Sequence, residues 1–233
     1  MDKIIKKATT LWQNDNELAA IRLIEKSEIA ETGPAYTLLG KMYTNAAYNS
    51  NIKRDYEKAR HYFLKAAELE DAEAYSELAS LYRWGYGVQT NMDETANYWK
   101  KAYDHGDVTA GFELANHYAE DKHDKIEVAI KIYKDLISKK EFMGNVHYSL
   151  SKIYGLGKGV KADPELQLKY LHEGATQKGF NCCMDLALIY YEGIRVEKNK
   201  KKALEIAKSA DTIELFDAEK QTMIDMIEND KIE

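Results

Sequence analysis

Few residues in this chain stand in patterns that could do chemistry. Gly155, Gly157 and Gly159 surround Lys158, as in a phosphate-cradling loop. Such a loop, however, needs four residues between its first glycine and a Gly-Lys-Ser/Thr ending, placed where a strand turns into a helix. Neither condition is met. Ser50-x-x-Lys53 and Ser149-x-x-Lys152 carry the serine–lysine spacing of penicillin-recognising enzymes, but the Ser-Asp-Asn and Lys-Thr-Gly elements that complete such a site are missing. The six histidines, His61, His105, His117, His123, His147 and His172, are scattered without a metal-ligand spacing such as H-E-x-x-H. His117 falls seven residues after Ala110, on what reads as a core-facing stripe. Cys182 reads as a small apolar residue at a core position rather than a nucleophile. Lys198, Lys200, Lys201 and Lys202 cluster at a helix start, the usual place for a solvated basic face. No catalytic residue, metal or cofactor is assigned.

What the sequence does contain is period. Leu39, Leu78, Leu114, Leu150 and Leu186 occupy one equivalent position, and from Leu78 onward they stand 36 residues apart. Four residues before them come Ala35, Ala74, Ala110, Val146 and Cys182; four residues after come Tyr43, Tyr82, Tyr118, Tyr154 and Tyr190. Apolar residues at i, i+4 and i+8 share one face of a helix, and a repeat of this length marks an array of stacked helical hairpins.

Residues 143–180 show the unit most clearly. Val146, Leu150, Ile153 and Tyr154 form the first stripe, the turn at Gly155 to Val160 ends that helix, Asp163 suits the N-cap of the next and Pro164 its first position. The same organisation gives repeats at 34–71, 72–107, 108–142, 143–180 and 181–212. A divergent capping hairpin precedes them at 1–33, closed by Gly33-Pro34, and a capping helix with a tail that frays from Glu228 follows at 213–233. Asn45 to Asn51 and Asp121 to His123 replace the glycine turn in two repeats, and the second of these connectors is expected to be shorter.

Composition agrees with a folded helical chain. Hydrophobic residues make up 45% of it, and prolines number only 2, too few to interrupt many helices. A net charge of −6 argues against nucleic acid, whose binding draws on a basic surface, and favours a basic partner. Cys182 and Cys183 are sequence neighbours and cannot form an unstrained disulfide, which fits a reducing compartment. Residues 1–7 lack the apolar core of a signal peptide, and nothing approaches the roughly 18 to 20 apolar residues of a membrane span. A cytoplasmic location and no membrane contact are expected.

These residues carry a family resemblance. Ala35, Leu39, Gly40, Met42 and Tyr43, the turns Gly85, Gly87, Val88 and Gly157, Gly159, Val160, and the second-helix set Ala59, Tyr62, Phe63, Lys65, Ala66 and Ala67 are similar to the Sel-1-like repeat family, relatives of the tetratricopeptide repeats. The resemblance spans about residues 34–212. It implies an all-α fold, a right-handed superhelix of antiparallel helix hairpins, whose members commonly act as adaptors and in some bacteria as immunity proteins that neutralise toxins. The secreted branch staples each repeat with a disulfide, and the cysteines for that are missing here.

In a solenoid of this kind the first helices line the concave face. Residues two, six and nine places after each anchor point away from the core stripe at about 100° per residue. They are Thr37, Lys41 and Thr44; Ser76, Ser80 and Arg83; Phe112 and Asn116; Tyr148 and Lys152; and Met184, Leu188 and Tyr191. Phe112, Tyr148 and Met184 form an apolar column, readable either as a partner surface or as packing between repeats. The expectation is a non-catalytic module, a monomer, holding a protein or peptide between Arg83 and Tyr191, with Phe112, Tyr148 and Tyr191 as anchors. The rival readings are a hydrolase on a repeat scaffold and a structural subunit covered by its own copies.

Overall fold

The repeating leucine and tyrosine positions build one element over and over: a helix, a turn and a second helix folded back on it. The computed structural model describes residues 2–45, 52–120 and 124–229. Among the described residues there are thirteen α-helices and no strand. They pair as α1 (Asp2–Gln13) with α2 (Glu17–Glu25), α3 (Gly33–Thr44) with α4 (Tyr56–Glu68), α5 (Ala72–Trp84) with α6 (Met92–Asp104), and α7 (Val108–Tyr118) with α8 (Ile126–Ser138). The series continues with α9 (Met143–Leu156) and α10 (Pro164–Thr176), then α11 (Phe180–Glu192) and α12 (Lys200–Ser209), and α13 (Glu214–Asn229) closes it.

The anchors read from the sequence form the core. Ala35, Ala74, Val146 and Cys182 are fully buried, Ala110 is nearly so, and the five leucines are all at most 2% exposed. The chain divides into two units, residues 1–114 and 115–233. In the first, Ala20 and Ile24 of α2 join Leu39 and Met42 of α3, Phe63 of α4 and Leu78 of α5 in one cluster. In the second, Leu171 packs with Cys182 and Leu186, while Ile224 and Ile227 of α13 cover Cys183, Met184 and Ala187 of α11.

Local chemistry sets the helix ends. Asp163 accepts from the amides of Glu165 and Leu166, with Pro164 in the first turn; Asn91 caps α6 in the same way, and Asn199 caps α12 through the Lys202 amide. Gly85, Gly157 and Gly193 end α5, α9 and α11 in the left-handed conformation that costs glycine nothing. Gly87 and Gly159 share a second left-handed place in the turn, with φ of 67° and 61°; Arg195, at the equivalent place in the last repeat, adopts φ of 60° despite its side chain.

Two expectations need correction. Gly33 and Pro34 do not close the first hairpin but open α3, because proline fits the first helical turn where no amide is needed. The connector between α7 and α8, residues 119–125, is as long as those at 85–91, 157–163 and 193–199, so loss of the glycines has not shortened it. Residues 46–51 and 121–123 of the two glycine-free connectors, and 230–233 of the tail, lie outside the described residues.

Asp71 links two repeats of the first unit. Its carboxylate accepts from the Ala74 amide at 3.0 Å, capping α5, and from the Thr37 hydroxyl of α3 at 3.0 Å. Asp107 does the same for Ala110 and Ser76. Asp71→Ala is expected to lower stability by about 1 to 2 kcal/mol in urea denaturation, with Asp71→Asn losing less because it keeps an acceptor.

Candidate partner-binding face

Positions pointing away from the core stripe have different fates in the two units. In the first unit several of them make contacts between neighbouring repeats. Thr37 is 1% exposed and hydrogen-bonded to Asp71. Lys41 pairs with Glu73 at 2.6 Å, and Arg83 with Glu113 at 2.9 Å. The Arg83 guanidinium also lies 5.0 Å from the Trp84 ring centre and 5.1 Å from that of Trp99. Arg83 thus acts as a clamp within the unit. Phe112 is half-buried on α7.

In the second unit, Asn116 of α7 and Tyr148 and Lys152 of α9 come together around one depression of about 240 Å³. Ala119, Ser149, Ile153, Lys158 and the exposed Leu156 also line it. Tyr133 of α8, only 1% exposed, donates its hydroxyl hydrogen to Asn116 Oδ1 at 2.7 Å. This bond sets which way the Asn116 amide lies, with its oxygen toward Tyr133. Lys152 Nζ lies 5.7 Å from the Tyr148 ring centre and 4.0 Å from Asp185 Oδ2. Burial pushes the Tyr148 hydroxyl above the ordinary tyrosine range, and the Asp185 carboxylate adds to that.

Leu188, 37% exposed, borders a second cavity of about 310 Å³ with Leu168, Asp185, Ile194 and Arg195. Asp185 is raised above the usual carboxylate range by burial, with Lys152 partly offsetting this. Neither Asp185 nor Ile194 was singled out by the helical offsets. The repeat itself holds the signal: Ala119, Ser149, Lys152, Ile153 and Lys158 of the first cavity are each followed 36 residues later by Gly155, Asp185, Leu188, Ile189 and Ile194 of the second. Five lining positions thus recur between the two cavities, with different chemistry at each.

Met184 does not share this surface. It is 6% exposed and packs with Ala187, Ile224 and Ile227, because α13 covers the side of α11 that a further repeat would have covered. Tyr148 also leans on the Leu171, Cys182 and Leu186 cluster. Tyr191 is half-buried, with Lys198 Nζ 5.3 Å from its ring centre. From the basic cluster, Lys202 donates to the Tyr190 hydroxyl at 2.7 Å and sits over that ring.

His117 and His147 are buried, 5% and 2% exposed. Among the described residues, no three His, Cys, Asp or Glu side chains group as metal ligands would, and no helix is long and apolar enough to cross a membrane. Cys182 is fully buried, and burial first, then Cys183 and Asp185, push its thiol up to about 12. The thiolate is the reactive form. Both cysteines of the native protein are therefore expected to resist Ellman's reagent at neutral pH and to react once the chain is unfolded in guanidinium.

Stacked helix hairpins with a two-helix repeat define an α/α repeat protein of the solenoid class. The Sel1 repeat model matches residues 33–71, 72–107, 145–178 and 181–210, more than half of the chain, and the chain belongs to the Sel1 repeat family. The α7–α8 hairpin lies outside those matches, although the Tyr133–Asn116 bond joins its helices. No curated protein matches the chain by sequence. Among solved structures, a Sel1 repeat protein from Oxalobacter formigenes aligns with a TM-score of 0.71 at 22% identity, over 88% of this chain and 81% of that one. A protective antigen of uropathogenic Escherichia coli with an SLR fold aligns with a TM-score of 0.69 at 23% identity, over 93% of this chain and 45% of that one. An immunity protein from Pseudomonas aeruginosa gives a TM-score of 0.45 at 17% identity, over 98% and 82%, a likeness too loose to argue from. The first two share the fold with this chain.

Proposed function

We propose that the chain is a non-catalytic protein-interaction module that holds a protein or peptide partner on the first-helix face of its second unit, through Asn116, Tyr148, Lys152 and Leu188. The observation behind the reading is the pair of repeat-equivalent cavities, one at Asn116, Tyr148 and Lys152 and the next at Leu188. Lys152 and Leu188 among their lining residues reach solvent, and rigid paired helices hold them, so a partner would be bound with little ordering cost. Arg83, Phe112, Met184 and Tyr191 are already engaged or partly covered and serve as supports. Net charge of −6 favours a partner of basic overall charge. A cytoplasmic toxin kept inactive by a cognate immunity protein is the sharpest form of this reading.

Affinity capture from the native host's lysate tests it, comparing wild type with a Lys152→Glu, Leu188→Glu variant. Both side chains reach solvent, so the variant should keep the wild-type circular dichroism spectrum. A protein captured by wild type and lost by the variant is the expected result. Equal capture by both would move the binding site off this face.

A further inference from the structure

The Tyr190 hydroxyl stands between a base and a cation. Lys202 of α12 donates to its oxygen at 2.7 Å and also lies 4.0 Å from the centre of its ring. His172 Nε2 of α10 is 3.1 Å from the same oxygen. With the ammonium group donating, the arrangement that also satisfies the phenol hydrogen is donation to His172 Nε2, which accepts only when it carries no proton of its own. Three helices thus meet at one hydroxyl, α10 through its histidine, α11 through the tyrosine and α12 through the lysine. All three side chains are half-buried. At the equivalent places 36 residues earlier, around Tyr154, stand Leu136 and Leu166, so this polar relay is particular to the last hairpin.

We propose that His172, Tyr190 and Lys202 form an acid-sensitive lock on the last hairpin, which ties α11 and α12 to α10 while the imidazole is neutral and loosens when it takes a proton. A protonated His172 turns its own N–H toward the phenol oxygen that Lys202 already occupies. Two cations then share one oxygen and repel each other, and the phenol hydrogen loses its acceptor. Among the described residues, no carboxylate offsets this. Glu173, next to His172 on α10, is engaged by Lys169 at 3.8 Å and by His147 of α9 at 3.5 Å, while α11 presents Tyr190 and α12 presents Lys202. Burial first, and then Lys202, hold the imidazole below the ordinary histidine range. The stability it contributes is therefore present in full above the unfolded histidine value of about 6.5, and is lost as the pH falls from there through the lower folded value. The lock works whether or not the neighbouring face binds a partner.

The test is an NMR titration of the histidine ring protons of the full chain from about pH 8 to about pH 5, with hydrogen exchange in α12 followed over the same range and corrected for the intrinsic pH dependence of exchange. In wild type His172 is expected to titrate below the ordinary histidine value, and α12 to open more often on acidification. Lys202→Met should move the His172 midpoint up, because it removes the second cation. His172→Leu places here the residue type found at the equivalent position 136, and should leave the opening of α12 less sensitive to acid than in wild type. A His172 midpoint at or above the ordinary value, a midpoint that Lys202→Met does not raise, or equal acid sensitivity of α12 in wild type and His172→Leu would overturn the proposal. Should His172→Leu fail to fold, the wild-type and Lys202→Met midpoints still decide it.

Discussion

Leu150→Ala is expected to lower the unfolding free energy by about 3 kcal/mol, within the roughly 2 to 5 kcal/mol seen when a buried leucine is truncated. Leu150 is fully buried at the centre of α9, four residues after the buried Val146 and three before the nearly buried Ile153. The loss has two parts, the transfer of the missing methyl groups and the cavity left between helices that cannot close around it. Leu156, at the end of the same helix, is 62% exposed, and Leu156→Ala should change stability by less than about 0.5 kcal/mol. Urea denaturation followed by circular dichroism reads both. A small effect at Leu150 would mean that the leucine ladder is not the core of the repeat.

Gly40→Ala is expected to cost about 2 kcal/mol, against the general rule. In an exposed helix the change from glycine to alanine gains about 1 kcal/mol by restricting the unfolded chain. At Gly40 a Cβ would stand 2.4 Å from Cε1 and 2.7 Å from Cδ1 of the Phe63 ring. Phe63 is itself fully buried, so the ring has no open space to turn into, and overpacking of this kind costs about 1 to 3 kcal/mol. The glycine is what lets α3 and α4 approach. Phe63→Leu destabilises alone, but in the Gly40→Ala background it should do so less, with a coupling of about 1 kcal/mol in the double-mutant cycle. Full additivity would show that the two residues do not meet.

The core was legible in the sequence because it repeats. A small or apolar residue, a leucine and a tyrosine four residues apart can face one way only on a helix, and five copies fix the hairpins without knowledge of their neighbours. The candidate face was legible in part. Asn116, Tyr148 and Lys152 follow from helical offsets alone, and they do line one cavity. Arg83 satisfies the same offsets but is held by Glu113, an ion partner from the next repeat that helical geometry does not select. Met184 also satisfies them, but α13, which is not a repeat, covers it. Asp185 was passed over because it lies three places from its anchor, between the core stripe and the outward positions, and becomes part of a cavity only when α9 and α11 are set side by side.

Hydrogen–deuterium exchange of the chain with and without its captured partner addresses the central claim most directly. Slowed exchange is predicted in the peptides that carry Asn116, Tyr148 to Lys152 and Leu188 to Ile194, with little change around Trp84 to Met92 of the first unit. Protection confined to that first-unit turn, or to α13, with none at Tyr148 to Lys152, would contradict the assignment of the binding face.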